Sequence, residues 1–241
     1  MTLAIATAAR PVLPDGARRT ILSGTGLRKR FGQTEALRGI DFALDVGEIV
    51  AVMGPSGSGK STLLHCLAGI LPPDDGTVTF DGRSVERLGE AERSRLRRTA
   101  FGFVFQFGQL IPELSAIENV ALPLLLNGSG RGEAEGVAAA WFPRLGLDGL
   151  EHRRPGEMSG GQAQRVAVAR AMVSEPAVVF ADEPTGSLDS LAGEHVMELL
   201  TRVATEQRVS IVLVTHEPRV AAYAHREIVV RDGRISGVEA A

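Results

Sequence analysis

The stretch Gly54-Pro55-Ser56-Gly57-Ser58-Gly59-Lys60-Ser61 decides the fold of this 241-residue chain. It fits G-x-x-x-x-G-K-[ST], in which glycines let the backbone close around phosphate groups with successive N–H donors turned inward. Immediately before it, residues 48–53 (EIVAVM) predict a buried strand, and after it residues 60–70 carry apolar side chains at helical spacing. A glycine-rich loop alone is only a turn. Strand, loop and helix in this order make a phosphate cradle, with the positive end of the helix dipole aimed at the anion. The stretch therefore predicts a site for a nucleoside triphosphate, with Lys60 on the β- and γ-phosphates, the Ser61 hydroxyl on Mg²⁺ and Thr62 on the α-phosphate side.

Outward from the loop, residues 21–27 and 36–44 read as short strands, and Pro72-Pro73-Asp74-Asp75-Gly76 as a turn cluster. Residues 77–81 with Gly82 suggest a small hairpin, 90–98 a basic helix and 101–105 a strand. Residues 108–165 change character: Asn127-Gly128-Ser129-Gly130 is a loop, 133–145 is helical, and no strong strand appears. Strand signals return at 177–181 (AVVFA) and 210–214 (SIVLV), each followed by a helix. Such alternation predicts an α/β domain with a mostly parallel sheet, here interrupted by a helical insert. Residues 1–19 read as a flexible extension, 20–236 as one ATPase domain with its helical part at about 108–165, and 237–241 as a tail.

Composition narrows the class. A formal net charge of −3 argues against nucleic acid as the main partner, and the arginines of 93–98 read as a solvated helix face balanced by Glu90 and Glu92. The single cysteine, Cys66, excludes an internal disulfide and reads as a small core residue. No apolar run approaches the ~18 residues of a membrane span, and residues 1–20 lack the positive start of a signal peptide. Any membrane connection is therefore expected to run through a partner.

The strand at 177–181 ends in Asp182-Glu183. An acid at the C-terminal end of a parallel strand is placed to hold Mg²⁺ through water, the role expected of Asp182. Glu183 is then the carboxylate that polarises the attacking water, which makes the chain a hydrolase.

Met158-Ser159-Gly160-Gly161-Gln162 resembles the LSGGQ signature of ABC (ATP-binding cassette) ATPases, with Met in place of Leu, and the sequel from Gln164 to Ala171 is similar to the same family. The resemblance implies a P-loop NTPase of the ABC type: a RecA-like core, an antiparallel β subdomain and a helical subdomain. It implies that Ser159, Gly160, Gly161 and Gln162 bind the γ-phosphate of ATP held by a second copy of the chain. Gln106 resembles the glutamine that touches Mg²⁺ and links the site to the helical insert, Ser187-Leu188-Asp189 the loop that crosses the dimer interface, and His216 the histidine that contacts the γ-phosphate. Phe31 aligns with the aromatic that stacks on adenine, a use that needs only a π-face. His65, His152, His195 and His225 have no such context and read as structural.

Phe103-Val104-Phe105-Gln106-Phe107, Glu118-Asn119-Val120 and Leu122-Pro123-Leu124 are similar to the lipoprotein-release and macrolide-export branch of the family. That branch implies an integral-membrane permease as partner, ATP and Mg²⁺ as cofactors, and a place on the cytoplasmic face of the inner membrane. An importer ATPase and a soluble ABC ATPase acting on ribosomes or DNA stay open as alternatives. Against them stand the absence of an added C-terminal domain after Gly233, the single signature and the lack of sustained heptads.

Overall fold

The computed structural model describes residues 19–240, and side chains as far as residue 237. The extension expected at 1–19 lies, but for Arg19, outside the described residues. The chain divides into two compact units, Met1–Gly89 with Ser210–Ala241, and Glu90–Val209.

The first unit opens with β1 (Thr20–Phe31) and β2 (Thr34–Asp45), an antiparallel pair running from Thr20↔Asp45 to Phe31↔Thr34. Both are longer than their apolar segments suggest, because the polar halves are also paired: Arg28 bridges to Glu35 across the ladder at 3.1 Å. β3 (Ile49–Met53) runs into the phosphate loop and α1 (Lys60–Leu67) out of it. The helix stops short of residue 70, where Gly69 takes φ +63°. β4 (Asp75–Phe80) pairs with β1, and β5 (Arg83–Ser84) folds back on it through Asp81-Gly82. Both turn residues have positive φ, +47° and +76°, as a two-residue hairpin of the type that matches strand twist requires.

The second unit contains α2 (Glu90–Thr99), β6 (Phe101–Phe105), α3 (Ala116–Leu126), α4 (Arg131–Ala139), α5 (Trp141–Leu145), α6 (Gly160–Met172), β7 (Val178–Asp182) and α7 (Ser190–Gln207). β6 and β7 are parallel, in register from Phe101↔Val178 to Phe105↔Asp182. α3 lies within the insert expected to be helical at 108–165 and carries Pro123 inside its apolar run. Its start is secured by a capping box in which Ser115 accepts the Glu118 N–H and Glu118 accepts the Ser115 N–H. The helix expected over 133–145 is two helices joined at Ala140. Pro143 has no N–H to donate to Ala139, four residues back, so the ladder breaks there. α6 lies directly on β6: a Cβ at Gly102 would overlap the Ala171 carbonyl oxygen.

The chain then returns to the first unit with β8 (Ser210–Val214), α8 (Pro218–Ala221), β9 (Arg226–Arg231) and β10 (Arg234–Ala240). β3 is flanked by β8 and β9, parallel to both, and all its residues but Met53 are buried. β9 and β10 carry too many charges to announce themselves by periodicity. Their hairpin uses Asp232-Gly233, again with both φ positive. Residues 237–240 are thus strand rather than the expected tail, because the open edge of β9 takes them up at Val238↔Ile228 and Ala240↔Arg226.

Candidate active site

In the first unit, the loop 54–61 springs from the C-terminal end of β3, and its backbone is forced by close neighbours. A Cβ at Gly54 would overlap the Val230 carbonyl oxygen, and one at Gly59 that of Ala36, while both residues already hold positive φ (+142° and +106°). Pro55, Ser56 and Gly57 are exposed, and a Cβ at Gly57 would meet nothing within 4 Å. Gly59 is the N-cap of α1 and offers no side-chain acceptor, and the first turn holds no acid. An anion there meets a helix N-terminus with no competing cap.

Lys60 is buried, with its ammonium donating to the Gly54 carbonyl at 2.8 Å and the Pro55 carbonyl at 2.9 Å. No carboxylate among the described residues pairs with it within ion-pair distance. The Ser58 hydroxyl is buried without a hydrogen-bond partner among the described residues. Ser61 is exposed and Thr62 half-buried on the same first turn.

β8 runs beside β3 with Val214 opposite Val52, so His216 leaves the same end of the sheet as the loop. Thr215 is fully buried, and its hydroxyl accepts the Glu217 N–H at 3.1 Å, leaving His216 exposed at the bend. Phe31 ends β1 and is 52% exposed. The Lys29 ammonium stands 6.0 Å from the ring centroid and is itself held by Asp74 at 2.7 Å and the Pro72 carbonyl at 2.8 Å.

In the second unit, the register Phe105↔Asp182 brings Gln106, Asp182 and Glu183 to the C-terminal ends of two adjacent parallel strands. That is the edge at which ligands bind in open α/β sheets. Glu183 holds φ +49°, a conformation that side chains other than glycine adopt only when their surroundings enforce it. The enforcement is visible next door. Gln164, 1% exposed, donates its amide N–H groups to the Pro184 carbonyl at 2.7 Å and the Phe105 carbonyl at 2.8 Å. A Cβ at Gly186 would sit 2.9 Å from Gln106 Nε2, so a larger residue would displace that amide.

Ser159 caps α6. Its hydroxyl accepts the Gln162 N–H at 3.3 Å, and the Gln162 side-chain oxygen accepts the Ser159 N–H at 2.8 Å. Gln162, expected to face the nucleotide, is therefore engaged in this capping box. The amide N–H groups of Gly160 and Gly161 keep no intrahelical acceptor. Both glycines pack tightly: a Cβ at Gly161 would come within 3.1 Å of Ala192 Cβ, and one at Gly160 within 3.3 Å of Leu188 Cδ2.

These residues open onto a groove of about 230 Å³ that Ser187, Asp189, Arg165 and His195 also line. His195 has no motif context in the sequence, yet it shares a helix face with Ala192, three residues earlier, which packs on Gly161. Helical spacing from the Ser187-Leu188-Asp189 segment was the signal that could have found it.

A phosphate cradle with a buried lysine, and an acid pair at the end of a parallel strand, define a P-loop ATPase. The sequence profile described as "ABC transporter" matches residues 37–186. A lipoprotein-releasing system ATP-binding protein, LolD, of Hydrogenovibrio crunogenus is 43% identical over 217 residues, covering 88% of this chain and 94% of that protein. The macrolide export ATP-binding/permease protein MacB 1/2 of Paracoccus denitrificans is 47% identical over 204 residues, 85% of this chain but only 30% of that longer protein. Among solved structures, the ATP-binding cassette MJ0796, dimeric and bound to ADP and Pi in a post-hydrolysis state, superposes with a TM-score of 0.84 at 36% identity. That match covers 91% of this chain and 98% of the other. The chain belongs to the ABC transporter ATPase family, and it is an ATPase that binds ATP.

Proposed function

We propose that this chain is the ATP-hydrolysing subunit of an exporter or extractor, driving a separate integral-membrane permease from the cytoplasmic face of the inner membrane. Its resemblance to the LolD and MacB proteins supports that branch. No described helix is long and apolar enough to cross a membrane, which fits attachment through a partner. The observation that carries the reading is the phosphate loop. Among the described residues, its buried Lys60 ammonium has only carbonyl partners, and no side chain caps the helix start beside it.

Each candidate residue then takes a role. Gly54, Pro55, Ser56, Gly57, Ser58, Gly59 and Lys60 wrap the triphosphate, Thr62 adds a contact, and Phe31 stacks on adenine. Ser61, Gln106 and Asp182 offer a hydroxyl, an amide oxygen and a carboxylate, a hard-oxygen set that suits Mg²⁺. When bound, the ion would neutralise charge on the phosphates. Glu183 accepts a proton from the attacking water, and His216 donates to the γ-phosphate.

The dimeric cassettes among the relatives support a head-to-tail pair, in which Ser159, Gly160, Gly161 and Gln162 of one copy complete the site of the other. The helical part at 108–165 passes closure to the permease. Substituting Glu183→Gln is expected to preserve ATP binding and abolish turnover. Steady-state hydrolysis in that variant above the level of a Lys60→Ala control removes Glu183 from its role.

A further inference from the structure

The five backbone carbonyls from Phe105 to Gln109 are all occupied within the second unit. Four accept from side chains. Phe105 O takes the Gln164 amide at 2.8 Å, and Gln106 O the Ser187 hydroxyl at 2.7 Å. Gly108 O and Gln109 O take the two ends of the Arg170 guanidinium at 2.7 and 2.8 Å. The fifth, Phe107 O, accepts the Gln109 N–H at 2.7 Å. A Cβ at Gly108 would stand 3.2 Å from Gln164 Oε1 and 3.5 Å from Ala167 Cβ, so the loop lies directly on α6. Its side chains Phe107, 72% exposed, and Gln109 turn outward.

Arg170 makes no ion pair among the described residues, and burial holds its guanidinium below the usual arginine range. A charge desolvated without a carboxylate is costly, and here its whole hydrogen-bonding use is to fix two successive carbonyls with one planar fork. Gln164 and Arg170 are six residues apart, about 9 Å along the helix axis. Two anchors at that separation fix orientation as well as position, so the loop cannot shift or pivot without taking α6 with it. The N-terminus of α6 is the segment Ser159-Gly160-Gly161-Gln162.

We propose that Arg170, with Gln164, is a positioning residue that fastens the Gln106 loop to α6, so that a displacement of that loop reaches the Ser159–Gln162 end as a movement of the whole helix. This rests on the roles given to Gln106 and to Ser159–Gln162 above. Both anchors spend their hydrogen bonds on backbone carbonyls. Arg170 acts through the loop, and its loss changes turnover rather than the affinity of the phosphate loop.

The test is a double-mutant cycle on the full chain, with Arg170→Met, Gln106→Ala and the pair, following kcat and KM for ATP and the thermal midpoint. Arg170→Met is expected to lower kcat about tenfold with KM unchanged, Arg170→Lys to recover part of it, and Arg170→Met to add nothing in the Gln106→Ala background. An unchanged kcat in Arg170→Met, or losses that simply multiply in the double variant, overturns the proposal while leaving Gln106 in place. An unaltered kcat in Gln106→Ala overturns the role of Gln106 and the proposal with it. If Arg170→Met fails to fold, Arg170→Lys carries the same cycle.

Discussion

Replacing Gln164 with leucine tests whether one buried amide holds the two strand ends of the acid pair together. Gln164 is 1% exposed, and its Nε2 serves both the Phe105 and Pro184 carbonyls. Leucine keeps the volume and removes the donor. Phe105 O retains the Gly108 N–H at 3.0 Å, so Pro184 O is the carbonyl that loses the partner it has here. An unsatisfied buried carbonyl costs about 1–3 kcal/mol, and weakening the second adds part of another, giving a loss of about 2–4 kcal/mol. For a chain of this length that lowers the thermal midpoint by roughly 5–15 °C.

Glutamate at the same position separates hydrogen bonding from packing. Ionised, it sets a carboxylate against two carbonyl oxygens and is expected to destabilise more than leucine at pH 8. Burial and those neighbours raise its pKa, so on acidification it protonates, donates to one carbonyl and overtakes leucine. Thermal or urea unfolding of the three proteins at pH 8 and pH 5 measures both effects. A leucine variant within 1 kcal/mol of wild type, or a glutamate variant as stable as wild type at pH 8, means that the Gln164 amide does not hold these carbonyls.

Three further outcomes follow from individual side chains. Phe31→Leu is expected to raise KM for ATP several-fold with kcat and stability unchanged, and Phe31→Tyr to behave as wild type, in steady-state kinetics, because a half-exposed ring contributes a stacking face rather than core packing. The Cys66 thiol is pushed up to about 12 by burial, so maleimide at pH 8 should label the chain only after denaturation, which mass spectrometry of the single cysteine reads directly. The Glu118 carboxylate is held below the usual range by the Ser115 N–H first, then by the Ser115 hydroxyl and Arg131. A depressed carboxylate stabilises above its ordinary pKa of about 4.3 and loses that contribution as pH falls through the folded value. The urea-midpoint gap between wild type and Glu118→Gln should therefore hold at neutral pH and close toward pH 3, and a gap unchanged at pH 3 rules this out.

The strands and loops with extreme local patterns were legible in the sequence. β3, β6 and β8 are short, apolar and bounded, and the loop 54–61 is specified by glycines whose neighbours forbid a Cβ. The bounds of α3 and the strands β9 and β10 are not legible from periodicity, since a capping box sets the helix start and a ladder pairs the charged strands. The residues expected at the site stand at strand ends and helix starts, which is where the motif spacings put them. What spacing cannot carry is the tertiary use of an ordinary side chain. Gln164 and Arg170 look like routine helix residues until the carbonyls they hold are seen, and His195 joins the Ser159 groove only because α7 packs against Gly161.

In the proposed function, ATP joins two copies through Ser159 and its neighbours. Ser159→Asp isolates this contact, because aspartate is as good an N-cap as serine yet presents a negative charge to the γ-phosphate. Light scattering on Glu183→Gln should give the 25.5 kDa monomer without nucleotide and twice that mass with ATP and Mg²⁺. Adding Ser159→Asp should return the mass to that of the monomer while ATP binding and thermal midpoint without nucleotide stay the same. A Glu183→Gln protein that stays monomeric with ATP, or a Ser159→Asp variant that still dimerises, means that ATP does not join the copies in this way.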